Sequence, residues 1–205
     1  MTLLKFGDSN KKIAVYLGLM IRVAIVVAFI GFLLSGNWSN AILTVIIFLL
    51  MMTPTFLKRK YQIYIPFEFD FAITTFIFLT LFLGGLRDFY GRFSWWDDLL
   101  HFQSGILLGV TGFLLVYILN ERKTARLTMS PGFISFFSFC FSVALAGLWE
   151  MYEFFADLWF GYNMQRNGLP DTMSDITVNA IGALIVSIIG YLWVKRMKKL
   201  PFKPS

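Results

Sequence analysis

The chain has 205 residues, of which 58% are hydrophobic and only 15% are charged, and its mean hydropathy is +0.70. This composition excludes an ordinary soluble domain, which needs more polar surface to cover its core. The net charge of +6 does not indicate nucleic-acid binding, because the basic residues stand in short clusters beside apolar runs, where anionic lipid head groups attract them. The sequence therefore predicts a membrane protein whose partner is the lipid bilayer.

Six apolar segments are long enough to cross a bilayer, which takes roughly 20 residues of helix. The second segment is the weakest, since it is short and contains Pro54. In chain order the segments cover about residues 13–34, 41–57, 66–86, 97–119, 133–160 and 172–194. We therefore predict an all-α membrane protein, a bundle of about six transmembrane helices that forms a single integral membrane domain over residues 1–205.

The basic residues are distributed unevenly between the two sides of this arrangement. Fourteen Lys and Arg fall in the two tails, in the loop after the second segment and in the loop after the fourth, whereas the other loops contain only Arg87, Arg92 and Arg166. Cytoplasmic loops of membrane proteins carry the excess of Lys and Arg. We therefore expect a multi-pass membrane protein with both termini in the cytoplasm.

Arg22 is the one basic residue within a span. A charge inside a span normally faces a partner rather than lipid. We expect a structural ion pair between Arg22 and either Glu68 or Asp70 of the third span.

Eight of the twelve acidic residues fall on the side opposite the basic clusters. These eight acids occupy outer loops or the outer thirds of spans 4, 5 and 6: Asp88, Asp97, Asp98, Glu150, Glu153, Asp157, Asp171 and Asp175. The single histidine, His101, lies among them. The outer ends of three predicted spans thus place carboxylates at a similar depth in the membrane. This pattern predicts a site that faces the outside of the cell.

The spacing of these residues places them on common helix faces. Asp97 and His101 are four residues apart on span 4, and Asp171, Asp175 and Asn179 follow the same spacing on span 6. The three acids of span 5 are spaced by three and then four residues, which also makes one stripe. Because a charge that faces lipid is costly, the stripes should point into the bundle or a wet cavity.

Helix capping offers a purely structural explanation for part of this group. Asp97, Asp98 and Asp171 lie near helix N-termini, where a carboxylate is favoured, and Asp88 and Asp157 are explained as solvated end residues. The inner residues lie one or more turns inside their helices: His101, Glu150, Glu153, Asp175 and Asn179. A charge at mid-span costs ~2.5–3.5 kcal/mol, so we predict a functional site, with a structural polar network as the alternative.

Carboxylates around one imidazole fit a hard divalent cation (Mg²⁺, Mn²⁺ or Ca²⁺) better than Zn²⁺. A cation would offset the repulsion among the acids, and protonation is the other way to relieve it. The expected metal ligands are Asp97, His101, Glu153 and Asp175, and the expected catalytic residues are His101, Glu150, Glu153 and Asp175. The other residues expected to bind a ligand are Asp97, Asp98, Gln103, Gln165, Arg166, Asp171 and Asn179.

Three classes of function are open to such a site. The first is a metal-dependent hydrolase or transferase that acts on the head group of a lipid or of a cell-envelope precursor. The second is a small ion-coupled transporter, which would need a polar path continuing inward. The third is a non-enzymatic structural or envelope-interaction protein in which these residues only stabilise the fold. The residues indicate no oligomeric state.

Three stretches of the chain resemble a known family: WWDDLLHF at 95–102, EMYE at 150–153 and DTMSDITVN at 171–179. With these motifs, nearly the whole chain looks like the YjdF family of bacterial inner-membrane proteins. That family has no known biochemical function, so the resemblance implies the membrane location and no reaction.

A second resemblance is more distant. The pairs Asp97-x3-His101 and Asp175-x3-Asn179 resemble the VanZ-like family, which is associated with resistance to a lipoglycopeptide antibiotic. Asp98 stands where the VanZ-like pattern tends to have a basic residue. This resemblance implies a role in the cell envelope, with a non-enzymatic antibiotic-resistance membrane factor as one alternative, and names no reaction.

Overall fold

The computed structural model describes residues 8–61, 67–121, 129–166 and 168–197. Within these ranges the chain forms seven α-helices and no strand: α1 (Asp8–Leu34), α2 (Trp38–Tyr61), α3 (Phe67–Ile77), α4 (Phe89–Arg92), α5 (Trp96–Glu121), α6 (Pro131–Phe160) and α7 (Leu169–Met197). Helix α3 continues directly into a π-helical segment, Phe78–Leu86. Helix α4 is a single turn.

Six helical stretches in the described residues are long and apolar enough to cross a membrane: Lys12–Leu34, Trp38–Lys60, Phe67–Leu86, Trp96–Tyr117, Pro131–Phe160 and Leu169–Arg196. Large apolar side chains such as Val23, Leu50 and Ile189 are exposed along them, as expected where lipid covers a helix. The predicted fold class, an all-α protein with about six spans, is confirmed.

The cytoplasmic location of both termini stays a prediction. Pro66, the predicted first residue of the third span, lies outside the described residues. So do seven of the basic residues on which the orientation depends: Lys5, Arg122, Lys123, Arg126, Lys198, Lys199 and Lys203.

The second span is longer than its sequence segment. Helix α2 includes Pro54 and continues to Tyr61. At its beginning, the side-chain Oδ1 of Asn37 accepts a hydrogen bond from the N–H of Asn40 at 3.2 Å. This contact caps the helix and satisfies a backbone donor that the first turn leaves free. Polar residues thus extend the helix beyond its apolar part.

The described residues divide into two compact units, the first ending at Trp96 and the second beginning at Asp97. The first unit holds α1 to α4 and has a core of Ile25, Ile47, Met51 and Phe82. The second unit holds α5, α6 and α7 and has a core of Phe113, Val116, Tyr117 and Ile134. The single integral membrane domain that the sequence suggests stays a prediction.

In the first unit, Asp70 forms an ion pair with Lys58 and not with Arg22. Its Oδ2 lies 2.9 Å from Nζ of Lys58, in the last turn of α2. Arg22 instead donates to the hydroxyl of Thr74 at 3.4 Å. The expected pairing of Arg22 with Asp70 or Glu68 is therefore wrong. Lys58 reaches the first turn of α3, whereas Arg22 lies opposite Thr74, one turn further along that helix.

In the second unit, α5 and α7 meet at glycine residues. Gly105 of α5 lies against the backbone of Asn179, and Gly182 of α7 lies against the carbonyl of Phe102. Neither glycine has space for a Cβ atom. Small residues allow helix backbones to approach closely in a membrane. The close approach brings the polar side chains of the neighbouring turns together.

Helix α6 contacts α5 through buried serines. Ser138 Oγ donates to the carbonyl of Gly109 at 2.7 Å, and Ser142 Oγ donates to the carbonyl of Gly105 at 3.2 Å. Both serines are buried. In a bilayer, no hydrophobic driving force brings apolar helices together. Interhelical hydrogen bonds and close contacts between small residues therefore contribute much of the free energy of association.

Gly105→Ala should destabilise the protein, because the added methyl group would overlap the Asn179 carbonyl. Overpacking costs about 1–3 kcal/mol, so we expect a lower midpoint of thermal unfolding in detergent micelles. Gly147→Ala on α6 is the matched control, since nothing lies within 4 Å of its Cβ position. Alanine there gains helix propensity of up to ~1 kcal/mol, and the midpoint should be unchanged or higher. Equal midpoints would contradict the close α5–α7 contact.

Candidate functional site: a carboxylate and histidine cluster

The centre of the cluster is the imidazole of His101, in the second turn of α5. Its Nε2 lies 3.6 Å from Oδ1 of Asp97, 3.8 Å from Oε1 of Glu150 and 3.9 Å from Oδ2 of Asp175. His101, Glu150 and Asp175 are buried, and Asp97 is partly buried. Three helices therefore bring one carboxylate each to a single nitrogen atom, as the layer of acids in the sequence predicts.

The directions of the three helices explain why these residues meet. Asp97 and His101 lie in the first two turns of α5, and Asp175 lies in the second turn of α7. Glu150 lies about three turns before the end of α6, which runs the other way through the unit. The beginnings of α5 and α7 and the last part of α6 thus form one layer.

The distances around His101 Nε2 are too long for hydrogen bonds, which span ~2.7–3.2 Å between nitrogen and oxygen. They are close to the separation of neighbouring metal ligands, since tetrahedral ligands about 2.1 Å from an ion lie about 3.4 Å apart. Ligand atoms of Asp97, His101 and Asp175 all lie within 4.8 Å of one another. These three residues could hold a metal ion, and Glu150 stands at a similar distance from His101.

Three carboxylate oxygens of this layer are buried without a hydrogen-bond partner among the residues that the structure describes. They are both oxygens of Glu150 and Oδ2 of Asp175. The Thr172 hydroxyl is near enough to Glu150 to act on it, but it makes no well-aligned hydrogen bond with either oxygen. The two side chains belong to residues that are only 3% and 2% exposed. A buried polar group without a partner costs about 1–3 kcal/mol, and more when it is charged. A bound cation or a proton would supply the missing partner.

Other charged residues surround the cluster. Asp98 and Asp171 lie near enough to act electrostatically on Asp175, and Arg166 acts on Asp97. Within the described part of this unit, Arg166 is the only Lys or Arg at this end of the helices. Acids therefore outnumber bases, and this excess favours a positively charged ligand.

Glu153, an expected metal ligand, has a different partner. Its Oε1 accepts a hydrogen bond of 2.8 Å from the indole Nε1 of Trp149, four residues earlier on α6. Glu153 is buried at 7% exposure. The structure places Glu150, rather than Glu153, within 4 Å of His101. The assignment of Glu153 as a ligand or catalytic residue stays a prediction.

Asn179 lies one turn deeper than Asp175 and is completely buried. Its Nδ2 donates to Ser104 Oγ at 2.9 Å, and its Oδ1, 3.3 Å from Ser142 Oγ, shares the single proton of that hydroxyl with the Gly105 carbonyl. The structure therefore shows its amide bonded to two other helices. Its expected contact with a ligand stays a prediction.

The remaining expected binding residues are less central. Asp98 accepts a hydrogen bond of 2.8 Å from the hydroxyl of Ser174. Asp171 is partly buried in the first turn of α7. Gln103 is two residues beyond His101 and therefore lies on another face of α5. The structure does not bring Gln103 into the group around His101.

The loop between α6 and α7 is anchored by Asp157. One carboxylate oxygen accepts the N–H of Met164 at 2.7 Å, and the other accepts the N–H of Gln165 at 2.8 Å. The Gln165 side chain then donates to the hydroxyl of Thr172 at 2.7 Å. Asp157, which the sequence suggests is a solvated end residue, thus fixes the loop that carries Gln165 and Arg166.

Small polar residues line the buried face of α6 beside the site, and they are not among the residues expected from the sequence. On α6, the buried positions follow a regular spacing of three or four residues: Ser135, Ser138, Ser142, Ala146, Glu150 and Glu153. That stripe of small residues leading to two carboxylates was a readable signal for the inner face of α6. The hydrogen bond from Trp149 to Glu153 had no comparable signal, because Trp149 itself is exposed on the helix surface.

The chain matches a family model described as "Predicted membrane protein (DUF2238)" over residues 15–196. The chain belongs to this family. The YjdF resemblance refers to the same family and is confirmed, whereas the VanZ-like family is only a distant alternative. The match establishes a membrane protein embedded in the lipid bilayer and does not supply a reaction.

A relative from Thermotoga maritima is 30% identical over 128 residues and is described as an uncharacterized protein. The aligned part is 62% of this chain and 64% of the relative, so the chain covers less than two thirds of that protein. No solved structure matches the chain.

Asp157→Ala should loosen the α6–α7 loop, because the N–H groups of Met164 and Gln165 lose their acceptors. We expect faster hydrogen–deuterium exchange at these two amides, measured by mass spectrometry on the detergent-solubilised protein. Asp98→Ala is the matched control, since that carboxylate accepts from a hydroxyl and not from a loop amide. Exchange rates that are the same in Asp157→Ala as in the unmodified protein would contradict this role for the carboxylate.

Proposed function

We propose that this membrane protein binds a divalent cation at Asp97, His101, Glu150 and Asp175 and uses it on the head group of a lipid or cell-envelope precursor. The observation that carries the proposal is the placement of three carboxylates, from three helices, at 3.6–3.9 Å from one imidazole nitrogen. The family membership is compatible with this function and does not identify it.

The energetics of burial support a bound cation. Glu150 and Asp175 are almost fully buried, and their unpartnered oxygens face a group that contains further acids. Like charges held together in a medium of low dielectric constant repel strongly. A divalent ion would bind all of these oxygens at once and remove most of the repulsion.

The types of ligand restrict the choice of ion. Carboxylates suit Mg²⁺, Ca²⁺ and Mn²⁺, whereas imidazole suits Zn²⁺, Fe²⁺ and other transition metals. His101 lies at the centre of this group, so an ion that accepts both types of ligand fits best. We therefore favour Mn²⁺ among the hard cations, with Zn²⁺ as the competitor.

A divalent cation supplies Lewis acidity, which polarises a phosphoryl or carbonyl oxygen and makes water a stronger acid. Glu153 is the buried carboxylate next to this group, and the Trp149 indole orients it. In a hydrolysis, Glu153 would accept the proton of the attacking water and return it to the oxygen that leaves. A transferase would use an acceptor hydroxyl in place of water.

The depth of the site favours a head group over an acyl chain. His101 lies about 8 Å along the helix axis from Trp96, the first residue of α5, and the preceding Trp95 is an exposed aromatic residue of the kind that commonly marks the membrane interface. The head-group layer is about 5–8 Å thick on each side of the hydrocarbon. The distribution of Lys and Arg supports an exterior location for this side, in a bacterial inner membrane with both termini in the cytoplasm.

The opposite end of the same unit favours a one-sided site over a transport path. There the rings of Phe113, Tyr117 and Trp193 contact one another, with centroids 5.8–6.4 Å apart. Tyr117 is only 2% exposed. A solute moving through this unit would have to displace that aromatic cluster, whereas an enzyme with an outward-facing site would not.

The purified protein should retain about one divalent ion per chain, measured by elemental analysis after exchange into metal-free buffer. His101→Ala and Asp175→Asn each remove one ligand and should lower the metal content at least tenfold, since even the loss of an outer-shell partner costs about 10–100-fold in affinity. Asp88→Asn is the matched control, because Asp88 belongs to the first unit and asparagine tolerates its left-handed backbone conformation. Size-exclusion profiles should show that the variants remain folded. Equal, negligible metal in all four proteins would reject the cation site.

Glu153→Gln should separate an enzyme from a structural network. The variant keeps the size of the side chain and its hydrogen bond from Trp149, but it removes the proton acceptor. We expect unchanged metal content and at least a hundredfold lower release of head groups from vesicles of phosphatidylethanolamine, phosphatidylglycerol and cardiolipin. No release by the unmodified, metal-loaded protein would exclude these three lipids as substrates. Full activity in Glu153→Gln would remove Glu153 from the catalytic residues.

A further inference from the structure

We infer that Asn179 is a positioning residue, whose buried amide joins α5, α6 and α7 and fixes the register at which the proposed metal ligands meet. The inference rests on the proposed cation site for its functional meaning. The hydrogen bonds of Asn179 explain what holds the three ligand-bearing helices in place. It also gives Asn179 a role that differs from direct contact with a ligand.

The hydrogen bonds of Asn179 form a connected layer. The Asn179 amide donates to Ser104 Oγ at 2.9 Å, and Ser104 Oγ donates to the backbone carbonyl of His101 at 2.8 Å. On the other side, Ser142 Oγ contacts both Asn179 Oδ1, at 3.3 Å, and the carbonyl of Gly105, at 3.2 Å. One side chain of α7 thus bonds a serine on α5 and a serine on α6.

This layer lies directly beneath the ligands. Asn179 is one turn from Asp175, and Ser104 is three residues from His101 on the same helix. Because a helix is stiff over one or two turns, a shift at this layer moves the carboxylates by a similar distance. A slide of half a turn is about 2.7 Å, which would separate atoms that now lie 3.6–3.9 Å apart.

The glycine contacts alone do not fix this register. Gly105 and Gly182 determine how closely α5 and α7 approach, but smooth surfaces can slide along one another. Hydrogen bonds are directional and short in range, and they are stronger in a medium of low dielectric constant. Asn179 is fully buried, so water does not compete for its amide. The amide therefore provides the axial restraint that the small residues lack.

A neighbouring serine provides a matched control. Ser138 and Ser142 are one turn apart on α6, are both buried, and both donate to backbone carbonyls of α5. Only Ser142 also contacts Asn179. Replacing each serine by alanine removes the same hydroxyl group, but one variant disturbs the Asn179 layer and the other leaves it intact. A purely structural role for these serines predicts the same effect from both.

The first measurement is the affinity of the full chain for Mn²⁺ in lipid nanodiscs, by competition with a fluorescent chelator. Asn179→Ala and Ser142→Ala should weaken binding about 10–100-fold, as removal of a partner behind a metal ligand does. Ser138→Ala should change it less than about twofold. The electron paramagnetic resonance spectrum of bound Mn²⁺ should change in the first two variants only. Equal affinities in Ser142→Ala, Asn179→Ala and the unmodified protein would overturn the inference.

The second measurement tests the register without any metal. Spin labels at Leu99 and Met173, exposed positions on α5 and α7, would report the distance between these helices by pulsed electron paramagnetic resonance. The background carries Cys140→Ser, because the native cysteine is exposed. The distance distribution should shift or broaden in Asn179→Ala and Ser142→Ala and stay narrow in Ser138→Ala.

The two measurements separate the failure of each idea. If the unmodified protein binds no Mn²⁺ or other divalent ion, the proposed function is rejected, and the spin-label distances still decide whether Asn179 fixes the register. If metal binds normally and the distances are the same in all variants, the cation site stands and the positioning role is rejected. Should Asn179→Ala fail to fold, the comparison of Ser142→Ala with Ser138→Ala decides the question by the same criteria.

Discussion

The unit formed by α5, α6 and α7 depends on how buried carboxylates around the His101 imidazole are compensated. Glu150 and Asp175 are 3% and 2% exposed, and three of their oxygens make no well-formed hydrogen bond among the described residues. Charge in this environment is tolerated only beside a positive or protonated partner. The requirement explains why the polar groups of three helices converge on one layer, and why a cation is the ligand that this layer fits.

The same helices meet through glycine, serine and asparagine in the layers beneath the carboxylates. Gly105 and Gly182 permit a close approach of α5 and α7, and Ser138 and Ser142 bond α6 to the backbone of α5. In a bilayer these contacts replace the hydrophobic effect as the cause of helix association. The packing that holds the unit together therefore also determines the geometry of the candidate site, since both use successive turns of the same three helices.

The first unit uses its charged residues differently. Asp70 has a short contact with Lys58, and the Arg22 guanidinium donates to the Thr74 hydroxyl. Its core is apolar, built around Ile25 and Met51. This unit therefore holds buried groups of both signs, although Arg22 Nε and Asp70 Oδ1 have no hydrogen-bond partner among the described residues. The second unit differs because carboxylates from three helices gather around one imidazole, and this concentration of acid is the physical reason to assign the site there.

The sequence by itself determined the six spans, because lipid leaves the backbone only internal hydrogen bonds and about 20 apolar residues are needed to cross it. It also placed Asp97 with His101, and Asp175 with Asn179, since a spacing of four residues keeps side chains on one helix face. Only the tertiary structure decided that Glu150, and not Glu153, approaches His101. That choice depends on how α6 is rotated about its own axis. The contacts of α6 with α5 and α7 determine this rotation, and the periodicity of the α6 sequence does not.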